Sequence, residues 1–227
     1  MKKISLFVTI TSVAIVLTVS AFVAIIPHNA NHYPLVTELY DGSANIVSAI
    51  YLDFRFYDTL FEVLIFSIAI TGVSMYANRV KESGKILAAN SPLIKFDLLF
   101  LGMVIILWGL YTALIGHLQP GGAFSGGAIT ASGIVVLTMA MGSEKIHKGV
   151  ERFKLEWIEN SILIIIVLYV IFADIPSGFF FPGFSVGKIG DFFSGRGALL
   201  LNSTIGFKVF VGGWLIFYEF SKRKESV

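Results

Sequence analysis

Residues 98–141 read LLFLGMVIILWGLYTALIGHLQPGGAFSGGAITASGIVVLTMAM, and this stretch decides the fold. It contains no Asp, Glu, Lys or Arg, and a Pro-Gly-Gly turn divides it into two apolar runs. A helix needs about 20 apolar residues to cross a bilayer. The runs at 98–116 and 123–141 therefore predict two transmembrane helices joined by a tight outer turn.

Working outward, four more apolar runs predict further spans at 4–26, 57–76, 158–173 and 198–218. The first begins with Lys2 and Lys3 but is too long for the apolar core of a signal peptide. We therefore expect an all-α integral membrane protein with six transmembrane helices, embedded in the cell membrane as a multi-pass chain.

The basic residues predict the orientation of these spans. With the N-terminus inside, alternation places thirteen of the 17 Lys and Arg residues on the inner side and three outside, with Lys208 in a span. Cytoplasmic loops carry such an excess of Lys and Arg. The sequence predicts N-in and C-in termini. The polar linker at 78–90 divides the chain into a two-span part, 1–90, and a four-span part, 91–227.

Composition narrows the classes of function. Hydrophobic residues make up 56% of the chain and charged residues 14%, against about 25% charged in soluble domains. With no cysteine and four scattered histidines, we expect no metal site and no cofactor. No stretch suits a separate soluble catalytic domain or a nucleic-acid surface. An enzyme is therefore the weakest interpretation.

Charges inside apolar spans are costly, so each requires an explanation. Arg55, Asp58 and Glu62 share one helical stripe at spacings of three and four residues. We expect Arg55 and Asp58 to pair near the outer surface and fix the helix there. Glu62 lies deeper, without a basic neighbour nearby in the sequence, and is a candidate to load and release protons.

Lys208 is the second candidate, because it lies too deep in the last span to reach the surface by snorkelling. It fits either a proton relay or an assembly contact with Asn202, Thr204 or a neighbouring helix. The glycines of the outer turn, Gly121, Gly122, Gly126 and Gly127, have the small-residue spacing of close helix packing. His117 is an accessory candidate for the proton path, although a loop histidine with satisfied hydrogen bonds is the simpler interpretation.

At these residues the chain resembles a known family. Residues 116–128, GHLQPGGAFSGGA, resemble the GHxxPGGGFQGG signature of the B subunit of Mrp-type cation/proton antiporters, with Ala123 and Ser125 replacing Gly and Gln. Residues 202–209, NSTIGFKV, resemble the last-span motif of that family, so the resemblance runs from 92 to 218.

Residues 45–62 resemble a different subunit, the C-terminal end of the Mrp A subunit, and the small membrane subunit of archaeal membrane-bound hydrogenases. Phe61 departs from this pattern by replacing a usual glycine. The chain thus resembles a fusion of two neighbouring subunits. The resemblance implies work inside multi-subunit complexes related to the membrane arm of respiratory complex I. Its partners would be other Mrp-type subunits and, in some assemblies, a hydrogenase-like peripheral arm.

Two functions therefore follow. In the first, the chain completes a proton or cation path, with Na+ as the candidate transported ion and Glu62, Lys208, Asp58 and Arg55 along the path. In the second, it is a non-conducting scaffold that joins antiporter-like subunits to a redox arm. A self-contained transporter is disfavoured, because there is no internal repeat and no broken-helix substrate site.

Overall fold

The computed structural model describes residues 2–25, 43–50, 56–77, 79, 84–172, 188–195 and 197–222. This part of the chain is helical and contains no strand. Its eight helices are α1 (Lys2–Ile25), α2 (Ile46–Ala49), α3 (Phe56–Ala77), α4 (Pro92–Leu114), α5 (Ala123–Met141), α6 (Ser143–Arg152), α7 (Leu155–Phe172) and α8 (Ala198–Ser221).

Four of these helices, α3, α4, α5 and α8, are long and apolar enough to cross a membrane. Within lipid a helix satisfies its own backbone hydrogen bonds, which is why long apolar runs adopt this conformation. The fold is therefore that of a membrane-embedded helical protein. Helices α1 and α7 lie where the sequence predicts the first and fifth spans.

One helix boundary and one additional helix differ from the sequence prediction. Helix α4 begins at Pro92 rather than at residue 98, because proline is favoured in the first turn, where its missing N–H is not needed. The added turns carry Lys95 and Asp97 toward the membrane surface. The short helix α6, which follows Gly142, was not predicted; polar and charged residues dominate it.

The loops meet at two opposite ends of the helix bundle. At one end, the backbone N–H groups of Gly84 and Ala89 donate to the carbonyls of Lys222 and Met139, both at 3.0 Å. We call this end the basic face, because it holds α6 with its basic residues Lys145, Lys148 and Arg152. Helix α1 also begins there. At the other end, the outer face, the N–H of Asn45 donates to the carbonyl of His117 at 3.0 Å. The linker before α4 and the end of α8 thus meet at one end, and the segments around Asn45 and His117 meet at the other.

Helix α8 lies at the centre of the bundle. It packs against α5 on one side and against α3 and α7 on the other, while α1 contacts α3 and α7. Half of its most apolar window is buried, against 11% for α4, which packs mainly on α5 at the periphery. This arrangement places any polar group on the inner face of α8 at the centre of the bundle.

Candidate functional site: a buried ion pair

The charged residue within the last predicted span is buried in the protein interior. Lys208 of α8 is 1% exposed, and its Nζ donates to Oε1 of Glu159, which is 4% exposed on α7. The two charges lie 49 residues apart in sequence and form a buried salt bridge. Surrounding apolar side chains, among them Leu163 and Ile205, are fully buried. The charge of the ammonium group is therefore neutralised by the carboxylate within the bundle.

Burying two charges costs several kcal/mol per ion, which close contact and hydrogen bonding partly recover. Such a pair adds little net stability, although removing one partner alone typically costs about 3–5 kcal/mol. A buried pair that is expensive and weakly stabilising is a functional candidate within a membrane protein.

Glu159 is the residue that the sequence interpretation missed. It lies inside the predicted fifth span, one turn from the start of α7 at Leu155. Counting charges within all six apolar runs would have identified it, as it identified Glu62 and Lys208. Of the contacts considered for Lys208, the one with a neighbouring helix is observed, since Lys208 pairs with Glu159 of α7. Thr204 on its own helix donates instead to the carbonyl of Leu200 at 2.8 Å.

A cavity of about 170 Å³ lies beside the pair, between the ends of α1, α3, α7 and α8 at the basic face. Glu159 forms part of its wall. Its other carboxylate, amide and hydroxyl groups belong to Ser5, Ser74, Glu156, Asn160, Ser161 and Glu219. The carboxylate of the buried pair is therefore reached from the end of the bundle that the distribution of charges predicts to be cytoplasmic.

The acidic stripe of α3 lies elsewhere. Asp58 and Glu62 both lie on its exposed surface, so Glu62 is not buried within this chain. No hydrogen bond or ion pair joins Glu62 to Lys208 in the part of the chain that is described. Arg55 lies outside the described residues. The structure therefore separates the two proton-path candidates, Glu62 on the surface and Lys208 in the interior.

The outer turn brings His117 into the interior. The side chain is fully buried, and its Nε2 lies 3.0 Å from the carbonyl oxygen of Phe192. Beneath it lies Asn202 of α8, whose amide nitrogen would be 3.1 Å from a Cβ at Gly116. Both amide atoms of Asn202 are buried without a hydrogen-bond partner among the described residues. Buried amides of this kind usually bind water.

The glycines of the outer turn lie in helix contacts. A Cβ at Gly126 would lie 2.6 Å from Cβ of Ala113 on α4, and one at Gly127 would lie 2.5 Å from the carbonyl oxygen of Gly206 on α8. Side chains at these positions would force the three helices apart. Gly121 and Gly122 adopt φ of 157° and 144°, which residues with side chains rarely adopt.

No group of three or more His, Asp or Glu side chains that could hold a metal ion occurs among the described residues. The buried pair and the polar cavity are therefore the features that could bind ions or transfer protons. Together with the fold, they define a polytopic membrane protein with an ion pair in its interior.

Comparison with known proteins identifies the family. Residues 94–215, more than half of the chain, match a domain related to the MnhB subunit of Na+/H+ antiporters, so the chain belongs to this family. It is 31% identical over 132 residues to an uncharacterised protein of Methanocaldococcus jannaschii, covering 48% of this chain and 50% of that protein. The chain thus spans about half the length of this curated relative.

A solved structure shows the same fold along the whole chain. It is a chain from the structure of the membrane-bound sulfane sulfur reductase, an archaeal respiratory membrane complex. The two share 24% identity with a TM-score of 0.65, over 99% of this chain and 100% of that one. At this identity the likeness concerns the fold.

Proposed function

We propose that this chain is a membrane subunit of an Mrp-type Na+/H+ antiporter module in the cell membrane, and that it forms part of a proton or cation path. The family match supports a subunit of an Mrp-like complex. The likeness to a chain of a respiratory membrane complex supports assembly with other membrane subunits. The single observation that carries the path is the buried Glu159–Lys208 pair beside a polar cavity.

Glu159 and Lys208 would relay protons in turn. A proton arriving from the cavity neutralises the Glu159 carboxylate and removes the charge that holds the Lys208 ammonium. Lys208 then donates its proton toward the outer half of the bundle, and the proton on Glu159 passes to the lysine amine. The pair returns to its starting state with one proton moved across it. In the complete path, six spans with both termini inside would place this pair between the two membrane surfaces.

Two further features extend the proposal to the rest of the complex. Residues 1–90 would correspond to the end of the Mrp A subunit, fused to a B-type subunit at 91–227. Glu62 would lie against a neighbouring subunit, with Asp58 and Arg55 setting the local field, because an exposed carboxylate on a membrane helix is costly against lipid. A hydrogenase-like arm is a candidate partner, and Na+ is the candidate transported cation.

The test compares single and paired substitutions in the assembled complex. Glu159→Leu with Lys208→Met removes both charges at similar volume, so the complex should assemble with near-native stability. It should lose most proton-coupled Na+ transport in membrane vesicles. Each single substitution leaves a buried charge unpaired and should destabilise the chain by about 3–5 kcal/mol, seen as lost complex or a lower melting temperature.

The outcome separates a conducting subunit from a scaffold. Assembly with transport reduced by about tenfold or more supports the relay, since a loss of about 1.4 kcal/mol of transition-state stabilisation already gives a factor of ten. Wild-type transport in the assembled double variant would make the chain a scaffold. The matched control is Lys85→Met with Glu144→Leu, which removes an exposed pair of 3.1 Å at the basic face. It should leave both assembly and transport unchanged.

A further inference from the structure

The cavity beside the buried pair lies near one end of the bundle. Its lining comes from the first turns of α1 and α7 and the last turns of α3 and α8, all of which lie at the basic face. Ser5, Ser74, Glu156 and Glu219 belong to these terminal turns. Glu156 and Glu219 are each partly exposed, whereas Glu159 behind them is 4% exposed. Exposure thus decreases from the rim to the pair.

The chemistry of the lining favours water and positive charge. The carboxylates of Glu156 and Glu219, an amide and three hydroxyl groups line the cavity, together with Glu159, whose charge is compensated by Lys208. No Lys or Arg among the described residues lines it. At about 170 Å³, the cavity has room for several waters with polar partners. A concave site lined by one sign of charge, with low-dielectric walls, concentrates ions of the opposite sign.

We propose that this cavity is a water-filled, cation-selective vestibule that connects the basic face to Glu159. Its ligands would be small hydrated monovalent cations, a class that includes hydronium and Na+, and it would repel anions. The inference rests on the proposed function, because it assigns the entrance through which the buried pair exchanges protons. Neither the family match nor the likeness in fold assigns such an entrance.

Two serines on one helix face provide a matched test. Ser74 lines the cavity, whereas Ser67, two turns deeper on α3, is 3% exposed and donates to the carbonyl of Val63 at 2.7 Å. Because the chain has no cysteine, Ser74→Cys and Ser67→Cys each introduce a single thiol at nearly constant volume. Both variants are prepared in the assembled complex within sealed vesicles of known orientation.

The probes are two membrane-impermeant methanethiosulfonates, one with a trimethylammonium group and one with a sulfonate group. Ser74→Cys should react when the reagent is added at the basic face and not from the other side, while Ser67→Cys should remain unmodified. The ratio of cationic to anionic reagent rates, normalised to free cysteine, should exceed one. Adding Glu219→Gln should lower this ratio by about sevenfold, because one charge at about 7 Å in water changes each rate by about threefold, in opposite directions for the two reagents.

The vestibule is refuted if Ser74→Cys reacts no faster than Ser67→Cys, which would mean that lipid or a partner subunit fills the cavity. A normalised ratio of one would refute the cation selectivity. Labelling needs no transport, so it can be repeated in the Glu159→Leu/Lys208→Met background. A labelled vestibule with unimpaired transport in that background would overturn the proposed relay alone, and an unlabelled cavity with impaired transport would overturn the vestibule alone.

Discussion

Charged side chains in the helical bundle occupy two environments. Lys208 and Glu159 are both buried and form a salt bridge, so each charge is compensated within the chain. Glu62 lies on the exposed surface of α3, within a helix that is apolar enough to span the membrane. A carboxylate in such a position must face water or another protein, because hydrocarbon provides no hydrogen bonds.

This environment leads to a prediction for Glu62. Glu62→Gln keeps the shape and removes the charge, so the complex should assemble but lose most proton-coupled transport in vesicles, by about tenfold or more. Glu62→Asp should retain part of the activity. Glu144→Gln, at an exposed position that pairs with Lys85 at 3.1 Å, is the control and should transport normally. Wild-type rate and pH optimum in the assembled Gln variant would make Glu62 a structural residue.

The residue scale also shows what sequence reasoning could reach. The rule that charges within apolar runs need explanation identified Lys208 and Glu62. It could not identify the partner of Lys208, because α7 and α8 are brought together by packing and not by sequence proximity. It also could not tell which face of α3 is covered, since apolar residues lie on every side of α3 and their periodicity gives no direction. The burial of His117 and Asn202 likewise depends on contacts between distant loops.

At the scale of elements, the amphipathic helix α6 docks on the end of α8. The ring of His147 stacks on Tyr218 at a centroid distance of 3.8 Å, and its Nε2 lies 3.3 Å from Oε1 of Glu151. Burial lowers the pKa of His147 below its usual value of about 6.5, and Lys222 lowers it further. Glu151 and Glu219 act in the opposite direction, but burial is the larger effect.

A pH dependence follows from the sign of this shift. Because docking favours neutral His147, its contribution is fully present above about pH 6.5 and is lost as the pH falls through the lowered pKa. Hydrogen exchange in α6, corrected for intrinsic rates, should therefore be faster at pH 5 than at pH 7.5. His147→Phe keeps the stacking ring and should remove most of this difference. An unchanged difference in the Phe variant would assign it to Glu151 or Glu219 instead.

The apolar runs predicted the long helices because length and composition alone decide whether a helix can cross a bilayer. Helix α6 escaped prediction because it is short and polar, and its stability depends on tertiary contacts such as that of His147 with Tyr218. The start of α4 was placed too late because the charged residues Lys95 and Asp97 were taken to precede the span. The helix begins instead at Pro92, and proline is favoured in the first turn of a helix.

At the scale of the whole molecule, the glycine positions and the central helix α8 explain how the helices pack into one bundle. Gly126 and Gly127 allow α5 to contact α4 and α8 at backbone distance, so the three helices form one unit. On the far side of α8, α3 and α7 add the other half of the bundle. Helices on the two sides of the predicted boundary at residue 90 pack together, because α3 contacts α8 and α1 contacts α7.

Lys208 has its charge partner, Glu159, within the chain. The argument that the chain needs other subunits therefore depends on the residues exposed on its surface. Helix α4 exposes large apolar side chains such as Phe100, Leu107 and Trp108, and α3 exposes Glu62. An apolar surface suits lipid or protein, but the carboxylate suits only a polar neighbour. This makes the exposed face of α3 the side on which a partner subunit is expected.

The orientation of the molecule provides the last prediction. The N–H of Gly84 donates to the carbonyl of Lys222 at 3.0 Å, so the linker before α4 and the C-terminal end of α8 lie at the same face. That face also holds α6, with its several basic residues, and such loops remain in the cytoplasm. Reporter fusions after Gly84 and at the C-terminus should both read cytoplasmic, and one inserted at Gly121 should read external. An external reading at either of the first two positions would refute the N-in arrangement with six spans, and it would reverse the side from which the buried pair is reached.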